Sequence, residues 1–150
     1  MKPKSTCQIV RTLDVIGEKW SLLIVRNALR GQTRFSQFGE NLGLSSDILA
    51  NRLAKLVDTG IFEKQDYHEP GERMRSSYHL TPRGEGLRVV MAAMMQWDDE
   101  FNPSPLSGGS RLVEADGERP LRLAFLDAQG GEVDGNAVAI LPRAVGVVGW

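Results

Sequence analysis

Between Trp20 and Gly84 the apolar residues run at a helical spacing, switch to that of a hairpin, and meet a new helix start, and nothing else in the chain constrains the fold as tightly. From Lys19 to Leu29, Trp20, Leu23, Ile24 and Leu29 share an inward stripe that Leu22 and Val25 broaden, as in a central helix touched on several sides. Gly31 suits a C-terminal stop. A shorter helix is predicted from Arg34 or Ser36 to Asn41, anchored by Phe35, Phe38 and Leu42, with Gly43 relieving the turn and Leu44 plugging the gap between helices. Ser45 then suits an N-cap, and Asp47 lies in the first turn, where exposed backbone N–H groups favour a carboxylate. Leu49, Leu53 and Leu56 follow on one face, Ile48 and Val57 widen it, and Gly60 ends the helix. Ile61 to Tyr67 reads as a strand and Ser76 to Leu80 as its partner. The intervening HEPGERMR is polar, carries Pro70 and Gly71, and has Arg73 and Arg75 on its far side.

The flanks are helical. Ile9, Val10, Leu13 and Ile16 are spaced for a helix over about Thr6 to Ile16, interrupted by Gly17. Thr81-Pro82 opens another helix, with the hydroxyl as cap and proline in the first turn. Its apolar side runs through Leu87, Val90, Met91, Met94 and Trp97, more than a small domain has interior to cover. Dimerisation through this face together with Ile9 and Leu13 is one outcome, and packing against the first helix within the chain is the other. FNPSPLSGGS breaks the pattern as a linker at 101–110. Over 111–150, the alternation of Leu121, Leu123 and Phe125, the turn-like AQGGEVDGN, and the apolar AVAIL and AVGVVG predict a small antiparallel sheet or a pair of hairpins. The expected fold is mainly α with a β wing: a winged helix-turn-helix over 1–100, followed by a small β-rich C-terminal extension.

Composition excludes several alternatives. The 41% apolar and 25% charged content describes a folded chain, and no apolar run approaches the length of a membrane span. MKPKSTCQIV lacks the apolar core of a signal peptide, so the cytoplasm is the expected compartment. Cys7 is the sole cysteine, which rules out an internal disulfide or a four-thiolate zinc site within one chain. His68 and His79 are too few to argue for a metal, and GGEVDG lacks the strand–helix context of a nucleotide loop. No nucleophile–base pair, metal site or cofactor site is expected, and enzymatic activity has no positive support. The net charge of −1 supplies no strong global field for nucleic acid, so DNA binding requires a local basic face.

Cys7, RTLDVIGEKWSLLIVRNAL, RFSQF, LSSDILANRLAKLVDTGIFEK and YHLTPRG together resemble the HxlR-type family of bacterial winged-helix transcriptional regulators, relatives of the MarR group. The resemblance covers Cys7 to about Trp97. It implies a homodimer built from terminal helices, a recognition helix from each copy in the major groove of a pseudo-palindromic double-stranded DNA site, and wings near flanking phosphates. It also implies that Cys7 is a candidate oxidant sensor. Lys4 and Arg11 would favour its thiolate, and packing at a helix start is the competing reading. Some relatives carry paired cysteines where this chain has FLDAQGGEVD, so no thiol role transfers to that segment.

The resulting DNA-contact candidates are Arg34, Ser45, Ser46, Asn51, Arg52, Lys55, Lys64, Arg73 and Arg75. Ser46, Asn51 and Arg52 lead the groove-facing group, since asparagine pairs bidentately with adenine and serine bonds to a base or phosphate. Arg34, Arg73 and Arg75, with Lys64 at the wing base, are candidates for phosphate. Asp47 departs from the basic or amide residue of many relatives and is read first as a helix-terminal stabiliser. The overall expectation is a dimeric repressor with a small-molecule or oxidant effector. The alternative is a winged-helix protein-interaction module with little specific DNA binding.

Overall fold

The computed structural model describes residues 6–68, 70–71, 73–103 and 109–142. Two compact units divide it, one through Met91 and the other from Ala92. The first unit contains helices α1 (Gln8–Ile16), α2 (Lys19–Leu29), α3 (Phe35–Leu42) and α4 (Ser46–Asp58). Strands β1 (Phe62–Tyr67) and β2 (Arg75–Leu80) and the short helix α5 (Pro82–Glu85) follow. Helix α6 (Arg88–Phe101) spans the boundary between the units.

Burial of one stripe from each helix against the base of the hairpin builds the core. Ile24 and Val25 of α2, Phe38 of α3, and Leu49, Leu53 and Leu56 of α4 enclose Ile61 and Phe62. Phe38 meets Phe62 edge-on, with ring centroids 6.3 Å apart at 80°. At ~1.5–3 kcal/mol for each fully buried large apolar side chain, this cluster is the main favourable term holding α4 in place.

Several local expectations change. In α2 the buried positions are Ser21, Ile24, Val25 and Asn27, while Trp20, Leu23 and Leu29 are only half-buried. Ile24, expected inward, and Val25, expected to broaden the stripe, meet the core directly, and Leu29 packs against it from a half-buried position. Ile48 is 43% exposed and does not widen the buried face of α4. Ser45 occupies the N-cap with extended backbone, but its side chain makes no capping hydrogen bond. At α3 the closure is clearer: Gln37 Oε1 accepts from the backbone N–H groups of Thr33 at 3.0 Å and Arg34 at 2.9 Å. Gly43, at φ 62°, then turns the chain into α4, and its N–H donates to the Gly39 carbonyl at 2.9 Å.

The hairpin is antiparallel, with Phe62 opposite Leu80 and Tyr67 opposite Arg75. Arg34 forms a β-bridge with Ser77, and the Tyr78 N–H donates to the Thr33 carbonyl at 2.7 Å, so the residues before α3 add a third, very short strand. Beyond β2, Thr81 joins two elements: its hydroxyl donates to the Gly60 carbonyl at 2.6 Å and accepts from the Gly84 N–H at 3.1 Å. Gly84 is buried so tightly that a Cβ would lie 2.3 Å from the Ile61 carbonyl oxygen. The predicted single helix after Thr81 is instead α5 and α6, separated by the turn at Gly86 and Leu87.

The second unit contains a small antiparallel pair, β3 (Phe125–Leu126) and β4 (Glu132–Val133), and an isolated bridge between Val113 and Pro120. Asp127 closes the turn: Oδ1 accepts from the N–H groups of Gln129 at 2.9 Å and Gly131 at 2.8 Å. Gln96 of α6 bonds both the N–H and the carbonyl of Leu123, at 2.8 and 3.1 Å, fixing this segment to the helix. AVAIL is not a strand: Ile140 and Leu141 are 92% and 79% exposed and find no strand partner among the described residues. AVGVVG lies outside the described residues, as does part of the 101–110 linker.

Candidate nucleic-acid interface

Helix α4 has two unlike sides. Leu49, Leu53 and Leu56 are fully buried, while Ser46, Asp47, Ala50, Asn51 and Ala54 are exposed, with Ser45 exposed just before them. Ser46 and Ala50, and Asp47 and Asn51, are one turn apart, so the exposed side is a continuous strip of small and polar groups. Small side chains there let a helix backbone approach the floor of a groove, and the hydroxyl and amide offer both donors and acceptors.

The basic edge of α4 is not turned outward in the same way. Arg52 forms an ion pair with Glu18 at the N-cap of α2, and Lys55 Nζ lies 3.7 Å from the same carboxylate. The Arg52 side chain is 30% exposed, so this residue, expected in the groove-facing group, is held along the domain and braces α4 against α2. Glu18 was missed as a functional residue in the sequence. Its position within GEKW was the only signal, because the partner lies far along the chain.

The wing brings a second set together. Arg34, Phe35, Ser36, Tyr67, Arg75, Ser76 and Tyr78 line an open cleft of about 390 Å³ where α3 meets the hairpin. The Arg34 guanidinium lies 5.5 Å from the Tyr67 ring centroid, a cation–π contact that holds it over the cleft. Arg75 stands opposite Tyr67 in the ladder, and Arg73 is exposed beside the turn. Lys64 approaches Asp66 at 4.0 Å, and Asp66 also accepts from the Ser76 hydroxyl at 2.7 Å, so Lys64 is partly compensated by its own strand. No local pattern in the sequence signals that Arg34 and Arg75 share a cleft; the bridge between Arg34 and Ser77 brings them together.

The remaining candidates are separate. Cys7 is exposed at the N-cap of α1. Ile9 and Leu13 on α1 are 63% and 56% exposed, and Met94 and Trp97 on α6 are 50% and 57% exposed. Leu87 and Met91 pack against the core, and Val90 is half-buried. Among the described residues, no helix is long and apolar enough to cross a membrane.

A family model described as HxlR-like helix-turn-helix matches residues 15–105. Rv3095 of Mycobacterium tuberculosis, described as an uncharacterized HTH-type transcriptional regulator, is 41% identical over 95 residues, which are 63% of this chain and 59% of that protein. The match therefore spans less than two thirds of that relative. Among solved structures, PA1607, described as a candidate transcription factor, is 34% identical with a TM-score of 0.80, over 93% of this chain and 97% of its own. The redox regulator HypR in its reduced form is 26% identical with a TM-score of 0.58, over 65% of this chain and 95% of its own.

Proposed function

The chain belongs to the HxlR-like helix-turn-helix family of transcriptional regulators, and from that premise we propose that it is a dimeric repressor that reads a pseudo-palindromic DNA site through α4. One observation carries the reading: α4 is anchored by a fully buried leucine stripe, while its opposite side is an exposed strip of serine, alanine and asparagine. Ser46 and Asn51 are the base-reading residues, with Ser45 at the helix start. Arg34, Arg73 and Arg75 contact phosphate from the α3 and wing side, which makes binding salt-dependent. Lys55 and Lys64 contribute less, because each already faces a carboxylate. Arg52 positions the helix.

Dimerisation is supported by the exposed apolar residues of α1 and α6, which water penalises in a lone subunit. Two copies related by a two-fold axis present two α4 helices to half-sites about one helical turn apart. The test is selection of binding sites by the full chain from random duplex DNA, with the mass of the bound species measured. A symmetric motif bound by two copies is expected. Absence of enrichment at low salt favours the protein-interaction reading, which the net charge of −1 and Asp47 on the exposed strip support.

A further inference from the structure

On the first unit, away from the α4 strip, α1 and α5 flank a second open cleft of about 390 Å³ whose lining includes Arg11, Val15, Ile16, Ile61, Arg83 and Leu87. Its volume is at the small end of the roughly 300–1,000 Å³ typical of small-molecule sites. Gln8, Arg11, Thr12 and Val15 follow one face of α1, so one wall passes from polar to apolar along the helix. Ile16 and Ile61, 3% and 2% exposed, are its most buried lining residues. Arg83 stands on α5 and makes no ion pair among the described residues. Arg11 donates from Nη1 to the Thr6 carbonyl at 3.1 Å, which uses only one of its several donors.

We infer that this cleft binds a small amphipathic organic acid, with the apolar body on Val15, Ile16, Ile61 and Leu87 and the carboxylate bonded by Arg11 and Arg83. The apolar lining selects against a bare inorganic anion, and the guanidinium pair selects against a neutral hydrocarbon. Thr12 and Gln8 supply further polar contacts at the rim. The site also touches the elements that hold α4. Ile16 is followed by Gly17 and then by Glu18, whose carboxylate pairs with Arg52 and Lys55. Ile61 follows Gly60 at the end of α4, and its carbonyl accepts from the Thr81 N–H at 3.1 Å. A ligand that shifts α1 against α5 therefore acts on the brace between α2 and α4. Ligand capture does not depend on the DNA-binding reading; its effect on operator affinity does.

The test is calorimetric titration of the full chain, free of DNA, with 2-naphthoate, 2-naphthamide and inorganic phosphate. The expected result is saturable uptake of one naphthoate per chain, about tenfold weaker uptake of the neutral amide, and no saturable uptake of phosphate. Arg83→Gln is expected to weaken naphthoate about tenfold, and Thr12→Trp, which fills the cleft without removing charge, to abolish binding. Both residues are exposed, so neither change enters the core. Equal binding of amide and naphthoate, unaltered binding by the Thr12→Trp chain, or no saturable heat overturns the site. Operator affinity unchanged by saturating naphthoate overturns the coupling to α4. A chain that takes up naphthoate but binds no DNA supports the site and contradicts the repressor reading alone.

Discussion

Glu18 and Arg52 form an ion pair that ties the N-terminus of α2 to the middle of α4. Lys55, 3.7 Å from the same carboxylate, makes Glu18 the common anchor for two cations on one edge of the proposed recognition helix. The pair is partly solvated, so its contribution to stability is small and its main effect is on where the cations point.

Replacing Glu18 with Gln releases both cations toward solvent. Because partly exposed ion pairs are worth ~0–1 kcal/mol, chemical denaturation should show a loss within that range. Non-specific DNA affinity should rise and its salt dependence steepen, as fluorescence anisotropy across a salt series would report. A large loss of stability with unchanged salt dependence would mean that Glu18 is a folding element only.

Gly84→Ala forces a Cβ onto the Ile61 carbonyl oxygen, a backbone atom that cannot move without disturbing β1. The expected cost is ~1–3 kcal/mol in urea unfolding. Thr81→Val removes both the bond to the Gly60 carbonyl and the acceptor for the Gly84 N–H, and should cost ~1–2 kcal/mol. Near-wild-type midpoints for both would show that the junction after β2 relaxes freely.

Arg73→Ala combined with Arg75→Ala should weaken DNA binding uniformly across sequences and flatten the salt slope. Asp47→Asn should act in the opposite direction, tightening binding without altering preference, because its carboxylate repels phosphate more than it reads cytosine. Competition binding against an operator library separates the outcomes: a changed motif for Asp47→Asn would identify it as a base contact.

Arg122 donates to Glu132 across the β3–β4 hairpin, and this hydrogen bond first, with the charge attraction second, holds the Glu132 carboxyl below its ordinary range. A depressed acid stabilises its surroundings above the unfolded-chain pKa, and that contribution disappears as pH falls through the folded value. The backbone amide shifts of Phe125 and Val133 should therefore hold steady near neutrality and change slightly in acid, as the exposed carboxyl takes up its proton and the pair to Arg122 is lost. Glu132→Gln should remove that transition, and a transition that persists in this variant would assign it to another group.

Those elements whose signals are local could be read from the sequence. The Leu49, Leu53 and Leu56 stripe, the β1–β2 hairpin and the Thr81 cap each declare themselves within a few residues. The Arg34–Ser77 bridge did not, because so short a strand has no period to display. The separation of α5 from α6 was hidden because Leu87 keeps the apolar stripe in step across the turn. AVAIL failed for a different reason: an apolar run becomes a strand only where another strand accepts its backbone bonds. In the candidate site, the identity of the exposed α4 residues was legible. The capture of Arg52 by Glu18 was not, since it is a contact between distant parts of the chain.

Site selection repeated with Asn51→Ala tests most directly the claim that α4 reads DNA. The wild-type chain should enrich a two-fold symmetric motif, and Asn51→Ala should lose preference at one position in each half-site while keeping the rest, with discrimination there reduced by ~1–3 kcal/mol. An Asn51→Ala motif identical to that of the wild type would contradict base readout by this face of α4.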